Sequence, residues 1–415
     1  MRFVHAADVH LDSPMRGLAA YPGAPVEAMR GATRSALRSL VDLCLEENVD
    51  LLLIAGDVVD GDWPDYHTGL YMVSELRRLC EADIPVVMIR GNHDAASVVT
   101  KALRWPEGVR LLSSSRPETV TFEDIGVAVH GQSFATRAVT DNLAAGYPSP
   151  ESGLLNIGLL HTCLGGYAAH EDYAPCALDE LVSHGYDYWA LGHIHQRAIL
   201  HEAPHVVFPG NPQGRHPREC GPKGATLVDV IDRAIQTEER TLDQVRWDVV
   251  RIDAGHLADS DQLLAQAQKQ LTAAVAAADD RLVACRIEIA GVSQAHTPFV
   301  RDRDHLDAEL RAIAVGLGAE SLWVERVIWK TSPPRGANAG ADEALGEVVK
   351  VLRETSGDEE ALSELAEELA PLAAKLPLDV REGPDGVDPS NAETLRTVLA
   401  DIEATLPSLL TEASR

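Results

Sequence analysis

The first part of the chain alternates short apolar runs with segments in which apolar residues recur at helical spacing. The runs at residues 3–7, 51–55 and 85–90 predict strands, because runs of this length are typical of buried strands. Apolar residues at helical spacing over residues 33–47 and 70–79 predict a helix between each pair of strands. This order of elements is typical of an α/β domain with parallel strand pairing.

Later apolar runs extend the same domain. They predict strands at residues 126–130, 155–160, 187–191, 205–208 and 225–230. We therefore predict a first domain over residues 1–235.

A second, smaller domain is predicted over residues 236–332. It opens with the polar stretch 236–245, which marks a change in the character of the sequence. The pattern that follows predicts strands at 246–252, 282–289 and 322–330 and helices at 260–278 and 304–315. This order of elements forms a compact βαβαβ unit.

The remaining region, residues 333–415, is acidic and predicted to be helical. Prolines and glycine indicate a linker at residues 331–336, before helical segments near 342–375 and 391–412. Each segment carries an apolar stripe, the first formed by Leu362, Leu365, Ala366, Leu369 and Leu372 and the second by Leu395, Val398, Leu399, Ile402 and Leu406. The stripes either pack within their own domain or form a docking surface for a partner.

The composition is that of a globular protein with a strong acidic excess. The 415 residues are enough for two or three domains, and 45% hydrophobic residues suffice for ordinary cores. The formal net charge is −28, and residues 336–415 alone hold 18 acidic and six basic side chains. This charge excludes nucleic-acid binding by bulk electrostatics, so such binding would need local basic patches or metal ions.

The sequence also predicts a cellular location. Its six cysteines are scattered and form no CxxC pair, which indicates a reducing compartment. The first residues run directly into a strand with charged groups close behind, unlike a signal peptide. No apolar run approaches the roughly 20 residues that a membrane helix requires. We therefore expect a cytoplasmic protein with no membrane partner.

Polar side chains of three types follow five of the predicted strands. These side chains are Asp8 and His10, Asp57 and Asp60, Asn92 and His93, His161, and His193 with His195. In an extended chain, residues two apart point to the same side, so each D-x-H or H-x-H pair can share one ion. Taken singly, each group has a structural interpretation, as a turn, a helix cap or a surface imidazole. Five such endings in chain order instead indicate a shared site, since sites in open α/β sheets form beyond the carboxyl ends of strands.

The types of side chain indicate the chemistry of this site. Carboxylate, imidazole and amide groups without thiolates suit Mn²⁺, Fe²⁺ or Zn²⁺. If seven of these nine side chains are ligands, they are too many for one tetrahedral ion. Seven ligands suit two ions that share a bridging carboxylate. A pair of ions about 3.5–4 Å apart is the arrangement for in-line displacement at phosphorus.

The set of motifs resembles that of the calcineurin-like metallophosphoesterases, which is D-x-H, G-D-x-x-D, G-N-H-D, H and G-H-x-H. All five blocks occur in order within residues 1–235. Within that superfamily the chain is similar to the SbcD-type DNA repair exonucleases, and above all to their YhaO-like branch. The segments that carry this similarity are HAADVHLDSPMRGL, GDVVDGDW, IRGNHD, VHGQSF and FPGNPQGRHPRECGPKGATLVDV.

The resemblance implies roles for individual residues. A first metal would be held by Asp8, His10, Asp57 and His195, and a second by Asp57, Asn92, His161 and His193, with Asp57 bridging. His93 would stabilise the transition state and protonate the leaving oxygen, while Asp60 would orient His93 or help to position the phosphate. Asp94 is expected to cap the following helix. Mn²⁺ is the expected ion, with Fe²⁺ and Zn²⁺ as alternatives.

The resemblance also implies a fold and a function. The fold would be a four-layer α/β sandwich, with two mixed β-sheets flanked by helices, a small α/β capping domain and an acidic helical C-terminal region. The chain would be a two-metal-dependent phosphodiesterase that acts on DNA, as an exonuclease/endonuclease subunit of a DNA repair complex. In its reaction, a metal-activated hydroxide would attack the phosphodiester. A phosphodiesterase or phosphatase for a small or protein-bound phosphate would use the same ligands, and the charge of −28 favours it. A scaffold without activity is the least favoured, because no ligand is missing.

Contacts with DNA and with partner proteins are further expectations. The basic, glycine-rich segment 210–224 predicts DNA-backbone contacts by Arg215, His216, Arg218 and Lys223, although a solvated loop would have the same composition. The resemblance implies an SMC-like coiled-coil ATPase that docks near the C-terminus, and a homodimer through N-terminal helices.

Overall fold

The computed structural model of the protein describes residues 1–13, 23–60, 66–96, 103–164, 173–334, 343–376, 381 and 386–413. These residues fall into two compact units. The first consists of the N-terminal strand, residues 25–215 and residues 221–246, and the second consists mainly of residues 216–220 and residues 247–415. No helix in the described ranges is long and apolar enough to span a membrane.

Every predicted strand is present, together with four strands that the sequence pattern did not predict, Val109–Leu111, Glu118–Phe122, Ala198–Glu202 and Ala234–Thr241. The described strands are β1 (Arg2–Ala6), β2 (Leu51–Ile54), β3 (Val86–Met88), β4 (Val109–Leu111), β5 (Glu118–Phe122), β6 (Val127–Gly131), β7 (Leu155–His161), β8 (Tyr188–Gly192), β9 (Ala198–Glu202), β10 (His205–Phe208), β11 (Gly224–Ile231), β12 (Ala234–Thr241), β13 (Val245–Asp253), β14 (Leu282–Val292) and β15 (Leu322–Ser332). The described α-helices are α1 (Val26–Glu46), α2 (Tyr66–Glu81), α3 (Asn92–Ala96), α4 (Leu178–Ser183), α5 (Ser260–Ala277), α6 (His296–Arg301), α7 (Arg303–Leu317), α8 (Glu343–Gly357), α9 (Glu359–Ala373) and α10 (Ala392–Ala413).

Two six-stranded mixed sheets form the first unit. One has the order β12-β11-β1-β2-β3-β4, and the other has the order β5-β6-β7-β8-β10-β9. Strands β1 to β4 are parallel, as are β6, β7, β8 and β10, while the remaining strands pair antiparallel at the edges. The predicted mixed sheets are therefore confirmed.

Alternate residues of the strands build four layers. On β2, Leu51 and Leu53 face the second sheet, while Leu52 and Ile54 face helices α1 and α2. On the far side of the second sheet, Trp189 of β8 packs against Leu181 of α4. Each fully buried aliphatic or aromatic side chain of this kind contributes about 1.5–3 kcal/mol of transfer free energy. The sandwich thus directs the carboxyl ends of β1, β2, β3, β7 and β8 to one edge.

Residues 236–245 differ from the sequence expectation. They were predicted to follow the end of the first domain, but residues 236–241 continue the first sheet as part of β12. The stretch is polar because β12 is an edge strand with exposed side chains, and charged side chains protect such edges from pairing with other chains. The division of the chain at residues 235 and 332 stays a prediction.

The second unit contains the expected βαβαβ order in the sheet β13-β14-β15. Its core forms between one face of that sheet and the helices α5, α6 and α7. In the C-terminal region, the predicted helix over residues 342–375 is two helices. Asp358 separates them, because its carboxylate accepts hydrogen bonds from the backbone N–H groups of Glu360 and Ala361 and caps α9. The last two residues of the predicted linker, 335 and 336, lie outside the described residues.

The two apolar stripes of the C-terminal region partly cover each other. Leu362 and Ala366 of α9 pack with Leu395 of α10 in a small buried cluster. Leu372, Val398 and Ile402 remain between 37% and 50% exposed. Part of each stripe therefore belongs to a local core, and part stays accessible.

Gly158 provides a test of the packing of the second sheet. A Cβ atom at this position of β7 would lie 2.3 Å from the buried ring of Trp189. We expect Gly158→Ala to lower the free energy of unfolding by about 1–3 kcal/mol, because the ring has no space to move away. Guanidinium unfolding of the full chain measures this change.

Gly146→Ala is the matched control for that experiment. The nearest atom to a Cβ at Gly146 would be 3.6 Å away, on Pro117, so the change should stay within about 0.5 kcal/mol. Equal effects of the two substitutions would contradict the packing described for Gly158.

Candidate metal centre

The structure brings the nine predicted site residues together at one edge of the sandwich. Asp8 and His10 follow β1, Asp57 and Asp60 follow β2, Asn92 and His93 open α3, His161 ends β7, and His193 and His195 follow β8. The parallel strands of the two sheets all deliver their ends to this edge, as the sequence predicted.

These side chains form three overlapping groups of donor atoms. In each group, one nitrogen or oxygen atom per residue lies within 4.8 Å of the others. The groups are Asp8, His10 and His195; His10, Asp60 and His93; and Asp57, His161 and His193. The first and third groups contain most of the residues that the resemblance assigned to the first and second metals.

Asp57 belongs to the third group and also approaches His10 of the first group. Its Oδ2 atom is 3.4 Å from Nε2 of His161 and 4.0 Å from Nε2 of His10. The Oδ1 atom of Asn92 lies 3.0 Å from the same Nε2 of His161, so Asn92 joins the third group. A carboxylate in this position can contact two ions at once.

The loops that carry the donors have unusual backbone conformations. Asp8, His10, Asp57 and His193 have φ angles of 54°, 44°, 50° and 104°, in the region that non-glycine residues rarely adopt. Two hydrogen bonds hold the first loops together, from the N–H of Asp8 to the carbonyl of Gly56 and from the N–H of His10 to that of Asp57, both 3.0 Å. Such conformations cluster at functional sites, where the surrounding structure holds them in place.

Glycines allow the donor loops to approach each other. A Cβ atom on Gly91 would lie 2.3 Å from Oδ1 of Asp57, and one on Gly192 would lie 2.0 Å from the carbonyl oxygen of Ala55. Only glycine leaves room for both contacts. The glycines of the G-N-H-D and G-H-x-H motifs are therefore needed for packing at the site.

Asp94 does more than its expected role as a helix cap, because it accepts a hydrogen bond from the N–H of Gly91 before α3 and also reaches a second loop. It lies within α3, and its buried carboxylate accepts hydrogen bonds from the N–H groups of Gly91, Val58 and Val59, at 3.0–3.2 Å. Two of these donors belong to the loop after β2, so Asp94 fastens that loop to the one that carries Asn92 and His93. The sequence motif alone could not show this, because the donors are distant in the chain.

The side chain of His93 is 31% exposed, whereas those of His10 and His161 are almost fully buried. The Nδ1 atom of His93 is 2.6 Å from Oδ1 of Asp60, whose other oxygen accepts a hydrogen bond of 2.6 Å from the hydroxyl of Ser13. Burial lowers the pKa of His93, but the hydrogen bond to Asp60 and the charge of Asp57 outweigh it and raise the pKa above the usual value for histidine. Asp60 thus holds the ring and leaves its Nε2 atom directed elsewhere. Ser13 was not identified from the sequence.

The four predicted DNA contacts lie in different surroundings. The guanidinium of Arg215 lies 3.4 Å from Oδ2 of Asp60 and 3.3 Å from Nδ1 of His195. The buried ammonium of Lys223 donates a hydrogen bond of 2.7 Å to the carbonyl of His195. Both therefore support residues of the centre. His216 and Arg218 belong to the second unit, where His216 lies 3.3 Å from Glu219 and Arg218 is exposed.

Two aromatic rings cover part of the centre. Phe134 packs edge-on against His161, with ring centroids 5.4 Å apart, and Tyr173 does so against His193 at 5.8 Å. Neither ring was predicted from the sequence to belong to the site, although Phe134 lies in the segment VHGQSF. They limit the access of water to the two imidazoles.

The electrostatics of the centre favour bound cations. Burial raises the pKa of the Asp8 carboxyl to about 6, although His195 and His161 oppose this rise. Burial also opposes protonation of His161, yet the adjacent Asp57 carboxylate raises the pKa of His161 above its usual value. The buried carboxylates thus stabilise positive charge on their neighbours, as they would on a metal ion.

The residues also fit divalent metals in their chemistry. Among the described residues, Nδ1 of His10 is buried and has no hydrogen-bond partner, so this imidazole retains unused capacity. Buried polar atoms of this kind are costly unless a ligand satisfies them. Imidazole nitrogen, carboxylate oxygen and amide oxygen form a donor set that suits Mn²⁺, Fe²⁺ or Zn²⁺.

Comparison with known proteins agrees with this geometry. Residues 1–197 match the family model of the calcineurin-like phosphoesterases, and residues 247–332 match that of the middle domain of the metallophosphoesterase YhaO. The match to the first model includes all nine site residues.

Individual relatives show the same similarity. An uncharacterized metallophosphoesterase YhaO of Bacillus subtilis is 38% identical over 257 residues, which cover 61% of this chain and 63% of that protein. A DNA double-strand break repair protein Mre11 of Methanopyrus kandleri is 30% identical over 236 residues, 51% of this chain and 49% of that protein. The Mre11 protein of Sulfurisphaera tokodaii is 27% identical over 52% of this chain and 59% of that protein. The chain thus spans about half to two thirds of the length of these relatives. Residues 1–197 form a calcineurin-like metallophosphoesterase domain, and residues 247–332 form a middle domain of the YhaO type.

Proposed function

We propose that this protein is a two-metal-dependent phosphodiesterase that acts on DNA, as an exonuclease/endonuclease subunit of a DNA repair complex. The observation that carries this proposal is the position of Asp57, between the group of Asp8, His10 and His195 and the group of His161 and His193. Two clusters of ligands that share one carboxylate are the arrangement that two adjacent ions require.

The proposed ligands are those named by the resemblance. Asp8, His10, Asp57 and His195 would hold one ion, and Asp57, Asn92, His161 and His193 would hold the other. When bound, such ions activate water for attack on phosphorus and offset the charge of the phosphate. Mn²⁺ is our expected ion, and the donor set leaves Fe²⁺ and Zn²⁺ as alternatives.

His93 and Asp60 are the proposed catalytic side chains. Since Nδ1 of His93 faces Asp60 at 2.6 Å, the ring would present a proton on Nε2 to the leaving oxygen. The hydrogen bond to Asp60 and the charge of Asp57 raise the pKa of His93, which favours the protonated ring. Asp60 would act by orienting the ring, since its own oxygens are occupied by His93 and Ser13.

DNA is the proposed substrate for two reasons. The Mre11 relatives are named as DNA double-strand break repair proteins, and they match the chain over about half its length. The middle domain also adds a second unit that a phosphatase for small substrates would not need. The strong acidic charge favours instead a small or protein-bound phosphate, which remains the second candidate.

We further propose that three regions of the chain have different functions. Residues 1–235 would be the nuclease domain, residues 236–332 the capping domain and residues 333–415 the docking region for an SMC-like coiled-coil ATPase. The exposed Leu372, Val398 and Ile402 support a docking surface in the last region. A homodimer is a further proposal by resemblance. The six free cysteines support a cytoplasmic location, since extracellular proteins usually pair them.

The bridging role of Asp57 can be tested through metal content. We expect Asp57→Ala to lose at least one of two bound ions, because the shared ligand is removed, and to lose phosphodiesterase activity with it. Metal analysis of protein equilibrated with Mn²⁺ and then desalted measures the stoichiometry. Full retention of two ions would contradict the assignment of Asp57 as the bridging ligand. The control is Asp124→Ala, which lies on the surface in a 3-10 turn and should leave the metal content unchanged.

The proposed reaction can be tested with DNA and a chromogenic phosphodiester. With Mn²⁺, we expect the protein to shorten end-labelled linear duplex or single-stranded DNA. His93→Asn should keep both metals and lose about 10²–10⁴-fold in turnover, since a positioned acid contributes about that much.

Each result of this experiment has a distinct meaning. Loss of metal from His93→Asn would show that His93 is a ligand. Cleavage of the chromogenic phosphodiester without cleavage of DNA, even after addition of the candidate ATPase, would favour the second candidate substrate.

A further inference from the structure

Side chains from three separate loops meet at the carboxylate of Asp60. The Oδ1 atom of Asp60 lies 2.6 Å from Nδ1 of His93. Its Oδ2 atom accepts a hydrogen bond of 2.6 Å from the hydroxyl of Ser13 and lies 3.4 Å from Nη1 of Arg215. The same Nη1 atom lies 3.5 Å from Oγ of Ser13, so these two side chains also contact each other. We call Ser13, Asp60 and Arg215 the Asp60 cluster.

The two oxygens of Asp60 have different partners, and this fixes the plane of the carboxylate. Rotation about the Cβ–Cγ bond of an aspartate is soft, so a carboxylate held at one oxygen alone can turn. Ser13 and Arg215 hold Oδ2, and Oδ1 therefore stays directed at the ring of His93. The side chains of Asp60 and Arg215 are 19% and 14% exposed, so water has little access to replace these contacts.

The Asp60 cluster also keeps its carboxylate ionised. Burial raises the pKa of Asp60, but the hydrogen bonds from His93 and Ser13 outweigh burial and lower the pKa to about 2. An ionised carboxylate holds an imidazole N–H more firmly than a neutral acid does, because charge-assisted hydrogen bonds are stronger. Ser13 and Arg215 can therefore act on His93 through Asp60.

The loop that carries Ser13 is anchored to two helices. The carboxylate of Asp12 accepts a hydrogen bond of 2.7 Å from Nε of Arg34 on α1, and another from the hydroxyl of Thr68 on α2. The N–H of Ser13 donates a hydrogen bond of 3.0 Å to the carbonyl of His10. These contacts place the hydroxyl of Ser13 before it meets Asp60.

The backbone next to Arg215 is anchored by Gln213, whose side chain is buried. The Nε2 atom of Gln213 donates a hydrogen bond of 2.7 Å to the carbonyl of Val245. Its Oε1 atom accepts hydrogen bonds from the N–H groups of Gln244 and Val245, at 2.8 and 3.2 Å. Both ends of this buried amide are thus used, which holds the chain two residues before Arg215.

We propose that Ser13 and Arg215 are positioning residues for His93, and that both act through Asp60. This inference deepens the proposed function, on which it rests. It gives Arg215 a role other than the DNA contact predicted from the sequence, since its guanidinium faces Asp60 and His195 within the centre. Partners of this kind orient the groups that they contact, and their substitution typically costs about 10–100-fold in activity or metal affinity.

The kinetic test uses a chromogenic phosphodiester and the full chain with Mn²⁺. We expect Ser13→Ala and Arg215→Gln each to lower kcat about tenfold or more with KM nearly unchanged, because each removes a contact of Asp60 and not one of the substrate. Ser13→Thr keeps the hydroxyl and should retain most of the kcat that Ser13→Ala loses. The controls are the exposed Ser183→Ala on α4 and Arg301→Gln on α6, which should match the unmodified protein.

An Asp60→Asn background tests whether the two residues act through Asp60. Substitutions within one network are not additive, so in this background we expect Ser13→Ala and Arg215→Gln each to lower kcat by less than about twofold further. Full additivity of both substitutions with Asp60→Asn would overturn the proposal.

Cleavage of end-labelled DNA separates positioning from direct contact with the substrate. If Arg215 contacted a DNA phosphate instead, Arg215→Gln would raise KM for DNA and reduce the salt slope of binding by about one. It would also leave kcat for the chromogenic phosphodiester unchanged. That combination of results would overturn the positioning role of Arg215.

A spectroscopic measurement tests the same proposal without turnover. In protein equilibrated with Zn²⁺, which is diamagnetic, proton NMR can follow the Nδ1 proton of His93, and His93→Asn identifies its resonance. The hydrogen bond to Asp60 should protect this proton from exchange with water. We expect Ser13→Ala and Arg215→Gln to speed that exchange, whereas the two control variants should not.

An unchanged exchange rate in both variants would overturn the proposal, even if kcat fell. If the unmodified protein cleaved none of the substrates, the proposed function would fail, and the exchange rates would still decide whether Ser13 and Arg215 position His93.

Discussion

The buried carboxylate of Asp57 is the constraint on which the rest of the centre depends. It stands within 4.0 Å of imidazoles from two other loops, in a backbone conformation that is itself rare. Keeping an anion there without a cation is costly, because burial removes the water that would solvate it. The fold offsets part of that cost with the N–H of His93, which donates a hydrogen bond of 2.9 Å to Asp57, and with the imidazole of His161. The remaining demand for positive charge is what a pair of metal ions would satisfy.

The support for this carboxylate extends well beyond the ligands. Asp94 fastens the loop of Asp57 to the loop of His93 through three backbone hydrogen bonds. Gly91 and Gly192 allow those loops to approach without a Cβ between them. Arg215 lies within hydrogen-bonding distance of both Asp60 and His195, so the basic segment near residue 215 holds these two side chains in position. The proposed ligation and the orientation of His93 therefore depend on the same few loops.

The sequence predicted that the candidate ligands would meet at one edge of the sandwich, because their positions follow a local rule. Each ligand directly follows an apolar run, and parallel strands bring their ends to one edge, so order along the chain sufficed to place Asp8, Asp57 and His161 together. The short or polar strands β4, β5, β9 and β12 were missed because they lack a continuous apolar run, and their pairing depends on neighbours distant in the chain. The contacts of Asp94 and Arg215 were missed for the same reason.

Anomalous X-ray diffraction from crystals grown with Mn²⁺ would locate the bound ions directly. We expect two adjacent peaks about 3.5–4 Å apart. One would be surrounded by Asp8, His10 and His195 and the other by Asn92, His161 and His193, with Asp57 in contact with both. A single peak, or two peaks that do not share Asp57, would contradict a pair of ions joined by this carboxylate.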